Sequence, residues 1–206
     1  MTGKIKLNAA SGGGSVSFQA PSSTGDDRII TLPTTADGTV LTTTNPKAGN
    51  IVQVKQTVKT DTFSATVSYG DLSAVVLSCS FTASSTSNKL LLKANLYCNS
   101  SHQPTNNGIV FTDDGSTISG AIGDASGTQG RVSGGWAQVV SNEYVYPTYV
   151  EYLHTPSNTS SHTYGIKLYQ GSSGTGQTLA VNFGSTTDTT VRIRPISTLT
   201  IMEVAG

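Results

Sequence analysis

Lys89-Leu-Leu-Leu-Lys-Ala-Asn-Leu-Tyr-Cys-Asn99 is the stretch that decides the fold class. Leu90, Leu92, Ala94, Leu96 and Cys98 fall on one side of an extended chain, with Lys89, Lys93, Asn95 and Asn99 on the other. Successive strand side chains point to opposite faces, so this is a half-buried strand. The same period of two recurs along the chain. It appears in Val52, Val54 and Val58, in Val75, Leu77, Cys79 and Phe81, and in Tyr164, Ile166 and Leu168. It returns in Leu179, Val181 and Phe183, in Val191 and Ile193, and in Leu199 and Ile201. No segment carries the capped i, i+3, i+4, i+7 pattern of an amphipathic helix. Polar turn clusters at 84–88, 99–108, 155–162, 171–177 and 184–188 separate the runs. Short alternating strands with such punctuation predict an all-β chain, an antiparallel β-sandwich of jelly-roll type. Each strand is expected to turn its apolar side to a core shared by two sheets.

Composition narrows the function classes. Charged residues make up 12% of the 206 and the formal net charge is zero. With no Lys/Arg cluster, binding to nucleic acid by phosphate neutralisation is not expected. The densest basic spot, Arg192-Ile-Arg194, reads as two outward charges on a strand. The first residues lack the apolar centre of a secretory signal, and no run approaches the ~20 apolar residues of a membrane helix. A protein made in the cytoplasm, without membrane insertion, is expected. Cys79 and Cys98 are both in phase with apolar neighbours and would be out of register across a hairpin. They read as buried free thiols.

The chain before about Gly49 is different. Val16 and Phe18, then Ile29, Ile30 and Leu32, then Val40 and Leu41 are short apolar pieces in a polar, Gly-rich background. They cannot enclose a core. The stretch Arg28–Thr43 must therefore dock on something to be ordered. Residues 1–48 are expected to be an extended anchoring and assembly arm, with Phe18, Ile29, Ile30, Leu32, Val40 and Leu41 as its contacts. Pro46 and Gly49 mark the joint to a head domain over 49–206.

Motifs for chemistry are weak. His154 and His162 flank a loop and could approach each other if it joined a hairpin, but no further ligand is spaced for a metal. Asp113-Asp114-Gly115 lacks the ligand series of a calcium loop and reads as a turn. Gly123-Asp-Ala-Ser-Gly127 is interrupted as a nucleophile loop, and no base is indicated for it. Glu143 and Glu151 lie near aromatics but form no convincing glycosidase pair. Gly171–Gly176 lacks the Lys-Ser/Thr ending of a phosphate loop. No enzyme activity, metal or cofactor is expected. Trp136, Tyr144 and Tyr146 are candidate ligand contacts, since exposed aromatic rings stack on sugars and anchor interfaces.

Val16-Ser-Phe-Gln-Ala-Pro21, Ile30-Thr-Leu-Pro33 and Gly38-Thr-Val-Leu-Thr-Thr43 resemble a module of fibre and decoration proteins of tailed bacteriophages, the marine and cyanobacterial type especially. Ile51-Val-Gln-Val-Lys-Gln-Thr57, Ile122-Gly-Asp-Ala125, Tyr152-Leu-His-Thr-Pro-Ser157 and Ser197–Val204 are similar to the domain that often follows it. The resemblance implies a virion protein, usually a homotrimer, with a jelly-roll-like head and no catalytic residues. The chain lacks the long shaft and tail-attachment domain of long tail fibres. The expected role is thus a short capsid-decorating fibre, spike or knob, contacting the major capsid protein or another virion protein. The alternative is a tail-fibre tip or receptor-binding protein that recognises host surface glycan.

Overall fold

The computed structural model describes residues 4–9, 11–19, 25, 46–102, 105–138, 144–172, 176–184 and 193–206. Ile29, Ile30, Leu32, Val40, Leu41, Glu143 and Arg192 lie outside them. The chain divides into two compact units, Met1–Val40 and Leu41–Gly206.

In the first unit, β1 (Lys4–Asn8) pairs antiparallel with β2 (Ser15–Gln19). Gly12 and Gly13, at φ +84° and +68°, turn the chain between them in a conformation that glycine adopts without strain. Ile5 stands opposite Phe18, and Leu7 opposite Val16, so these positions share one face of the hairpin. Ile5, Leu7 and Phe18 are all exposed.

The second unit contains β3 (Ile51–Lys59), β4 (Phe63–Val67), β5 (Leu77–Thr82) and β6 (Lys89–Ser100). Then follow β7 (Thr105–Asp113), β8 (Ser116–Thr117), a 3-10 turn at Ser119–Ala121 and β9 (Gly134–Gln138). β10 (Tyr146–His154), β11 (Ser161–Gln170), β12 (Gln177–Val181) and β13 (Ser197–Val204) complete it. Every ladder is antiparallel.

The long strand β6 organises one sheet. β10 pairs along one of its edges. The other edge is shared: β13 takes Lys89–Asn95 and β12 takes Cys98–Ser100. β3 lies outside β13, and β4 outside β12. The second sheet runs β5, β11, β7, with β8 and β9 sharing the far edge of β7. Leu90, Leu92, Leu96, Leu199 and Ile201 from the first sheet meet Phe81, Phe111, Ile166 and Leu168 from the second in one buried cluster. The result is an antiparallel β-sandwich, and its organising strand is the segment whose alternation announced it. Asp114 and Gly115, at φ 47° and 82°, form the two-residue turn from β7 to β8, so the Asp-Gly motif is a tight hairpin turn.

Two expectations are corrected. β3 is inverted: Val54 and Val58 face outward and are exposed. Its core-side positions are Gln53 and Lys55, opposite Glu203 and Ile201. Gln53 Nε2 donates to Thr82 O at 2.8 Å, and Lys55 Nζ to Ser80 O at 3.0 Å. Those carbonyls belong to β5, an edge strand of the other sheet, so polar side chains of β3 satisfy an otherwise open edge. β5 and β6 belong to different sheets, and the segment after Thr82 crosses from one to the other. Second, residues 193–196 are not strand, and Ile193 is exposed. The basic spot at Arg194 is therefore not on a ladder.

Candidate functional site

A surface cleft of about 600 Å³ lies beside β7 and β9. The register sets Asn107 opposite Trp136 and Gly108 opposite Gly135, which brings polar and aromatic side chains to the same pair of strands. Residues of the 122–133 loop form one wall, and Tyr69 and Tyr169 form another. Glycine shapes both junctions. A Cβ on Gly108 would collide with the Val132 side chain, and one on Gly130 with the Tyr169 ring. Only bare backbone lets the loop lie this close to strand and ring. Arg131 Nε donates to Gly123 O at 2.6 Å and holds the two ends of the loop together.

Trp136 is 6% exposed and packs in the core cluster while also lining the cleft. Its indole Nε1–H has no hydrogen-bond partner among the described residues. Asn107 is 4% exposed. Its Oδ1 accepts from the Gly171 N–H at 3.3 Å, and its Nδ2 is left without a partner among the described residues. Buried donors of this kind are uncommon, since each costs about 1–3 kcal/mol when unpaired. Tyr144 and Tyr146 do not join Trp136 here. Tyr144 is exposed just before β10, with its carbonyl accepting from Asn99 Nδ2. Tyr146 opens β10 opposite Cys98 and packs against the core. Phe18 lies on the hairpin of the other unit. Tyr69, Tyr169 and Asn107 went unmarked as site residues because they come together only through the pairing of β7 with β9 and β11 and through the turn whose Gly70 N–H donates to Gln170 O at 2.9 Å.

The histidines meet in an unexpected way. β10 and β11 belong to different sheets, so the loop between them is not a hairpin. Both imidazoles instead flank Tyr164, with ring centroids 5.6 Å away for His154 and 6.1 Å for His162. His162 Nδ1 lies 2.8 Å from Asp113 Oδ1 and 3.2 Å from Asp114 Oδ2. Its Nε2 is 3.0 Å from Asn158 Oδ1. Asp113, Asp114 and His162 are close enough to share a cation. They already satisfy one another, and Asp114 Oδ1 also accepts from the Thr163 N–H at 2.8 Å. Burial pushes His154 below its ordinary value, favouring its neutral form.

Glu203 is fully buried in β13. Its carboxylate accepts from Gln53 Nε2 at 2.6 Å, Asn88 Nδ2 at 2.7 Å, and the Ser84 N–H and Oγ at 2.7 and 2.8 Å. Burial raises its pKa, but these hydrogen bonds together outweigh that and hold it below the usual 4.5. The signal was present in the sequence: Glu203 stands at the inward phase of Leu199, Ile201, Glu203. Cys79 and Cys98 are buried free thiols, as expected, and burial pushes Cys98 up to about 12.

The outward side of the first sheet carries an apolar row. Val54 pairs with Met202, Met202 with Leu91, and Leu91 with Leu153. The row crosses β3, β13, β6 and β10, and its ends, Val54 and Leu153, are 53% and 52% exposed. The next row is polar, Gln56, Thr200, Lys93 and Glu151, with Lys93 Nζ 3.6 Å from Glu151. An apolar strip beside polar residues has the layout of an interface core and its rim.

No protein-family model matches the chain, and no curated protein matches it. Among solved structures it is similar to that of the infectious bursal disease virus Gx strain, with a TM-score of 0.39 and 14% identity over 93% of this chain and 47% of that one. It is also similar to the infectious bursal disease virus VP2 subviral particle, with a TM-score of 0.36 and 14% identity over 93% of this chain and 47% of that one. The chain thus spans about half the length of the chains it matches.

Proposed function

We propose that the protein is a non-enzymatic structural component of a bacteriophage particle, a short decoration fibre or knob on the capsid. Its N-terminal unit grips the particle, and the β-sandwich projects from it. Its partners are sister copies, in a homotrimer, and the major capsid protein or another virion protein.

The observation that carries the anchoring role is the bare face of the β1–β2 hairpin. Ile5 and Leu7 are 66% and 56% exposed, and Phe18, opposite Ile5, is 50% exposed. A lone two-stranded hairpin is marginal in water, so an apolar face of this kind gains order by docking. The sandwich has a buried core of its own, built without any residue of the hairpin. The phage setting is supported by the resemblance of 16–21, 30–33 and 38–43 to the decoration module.

The test is incorporation into particles. Full-length chain and a truncation beginning at Asn50 are supplied separately to assembling phage that lacks the protein. Purified particles should carry the full-length chain and not the truncation. Truncated chain incorporated at the same level would remove the anchoring role.

A further inference from the structure

We infer that the cleft beside β7 and β9 binds a neutral saccharide, seating one pyranose-sized unit against Tyr69, Tyr169 and Trp136. The inference does not depend on the anchoring role, which concerns the other unit of the chain.

Three observations carry it. The first is charge. None of the residues lining the cleft is Asp, Glu, Lys, Arg or His. Nothing there would compensate an ionised phosphate, carboxylate or ammonium, so a neutral ligand is the one that enters without an unpaired charge. The second is the aromatic content. Tyr69 is 56% exposed and, with Tyr169 and the buried Trp136, lines the cleft with aromatic residues beside polar groups. The C–H face of a sugar ring packs on such surface while its hydroxyls stay available for hydrogen bonds. The third is the pair of unmet donors. Trp136 and Asn107 both line the cleft, and Trp136 Nε1–H and Asn107 Nδ2–H are buried without acceptors among the described residues. The Gly171 N–H already engages Asn107 Oδ1, which fixes the amide with its NH2 as the unmet group. Both groups can only donate, and they ask for an acceptor oxygen, which a saccharide hydroxyl, ring oxygen or acetamido carbonyl provides. Gln129, also on the wall, can both donate and accept, as a polyhydroxylated ligand requires.

Neither donor is open to solvent in this structure. A ligand reaches them by a small outward movement of the 122–133 loop, whose residues 123–131 are all exposed. Short reach and few contacts imply weak binding to a single sugar, in the millimolar range of about 1 mM or above, strengthened by copies acting together.

Trp136 is the one tryptophan of the chain, so its indole N–H gives a single assignable resonance. The experiment titrates the 15N-labelled full-length protein with methyl glucoside, methyl galactoside and N-acetylglucosamine. N-acetylneuraminic acid serves as the charged control and a Gly-Ser peptide as the neutral non-sugar control. At least one neutral sugar should shift the indole resonance with saturation, and the two controls should not. Tyr69→Ala changes an exposed side chain and should weaken that binding tenfold or more, whereas Tyr144→Ala, outside the cleft, should leave it unchanged. The inference is overturned if no neutral sugar moves the resonance, if the peptide or the acidic sugar moves it equally, or if Tyr69→Ala binds as the wild type does.

Discussion

Asn88 donates a 2.7 Å hydrogen bond to the buried carboxylate of Glu203, a residue 115 positions further along the chain. Gln53 and Ser84 donate to the same group, so β3, the segment between β5 and β6, and β13 are tied at one point. Glu203→Ala should destabilise the sandwich by about 2–4 kcal/mol, because several donors lose their acceptor in a buried place. Equilibrium urea unfolding measures it. A loss below the ~0.5 kcal/mol typical of surface changes would mean that the cluster is not a stabilising tie.

The same carboxylate gives the protein an acid-labile step. Its folded pKa lies below the usual 4.5, so the unfolded chain binds its proton first as pH falls. The stabilisation is complete above about 4.5 and is lost as pH drops through the lower folded value. His154 works in the same sense, since its depressed folded value favours the neutral ring and loses stability on acidification from below 6.5. Glu203→Gln should be less stable than wild type at neutral pH, with the gap narrowing below pH 4.5. A gap that stays constant down to pH 3 would contradict this assignment.

The outward apolar row predicts self-association through the first sheet. Val54→Lys and Leu153→Lys both alter side chains more than half exposed, so unfolding free energy should change by no more than about 0.5 kcal/mol. The mass found by sedimentation equilibrium should nevertheless fall from that of an oligomer towards that of one chain. Variants with the wild-type mass would show that copies do not meet on this face.

Burial controls the thiols. Cys98 is fully buried and its pKa is pushed up to about 12, so almost no thiolate is present at neutral pH. Iodoacetamide should leave Cys98 unmodified in the folded protein and label it promptly in denaturant, as followed by peptide mass. Rapid labelling of the native chain would mean that this part of the core opens readily.

Leu92 and Ile201 are opposite each other on β6 and β13 and are wholly buried. Leu92→Ala should cost about 2–5 kcal/mol through lost burial and the cavity left behind. Thermal unfolding would register it as a large fall in melting temperature. Asn95→Ala, exposed on the outward face of the same strand, is the control and should be close to neutral.

The alternation of Leu90, Leu92, Ala94, Leu96 and Cys98 was enough to identify the organising strand and its buried side, because a period of two has one apolar face and no helix can reproduce it. The Asp114-Gly115 turn and the buried, unpaired cysteines were legible for similarly local reasons. Val54 was not. Its pattern is the same, but β3 lies at an edge where Gln53 and Lys55 are needed on the core side to satisfy the carbonyls of β5. Alternation reports that two faces differ; only the neighbouring sheet decides which of them turns inward. The cleft was legible only in part. Trp136 was marked together with Tyr144 and Tyr146, which lie elsewhere, while Tyr69, Asn107 and Tyr169 are separated in the chain and meet through strand register and the turn held by Gly70 N–H on Gln170 O. The amino-acid sequence by itself therefore determined the all-β class and the inward side of the central strands, since both follow from local periodicity. The tertiary structure decided the crossings between sheets, the inversion of β3, the Glu203 tie and the grouping of the cleft residues, since each depends on pairing between segments that no local pattern specifies.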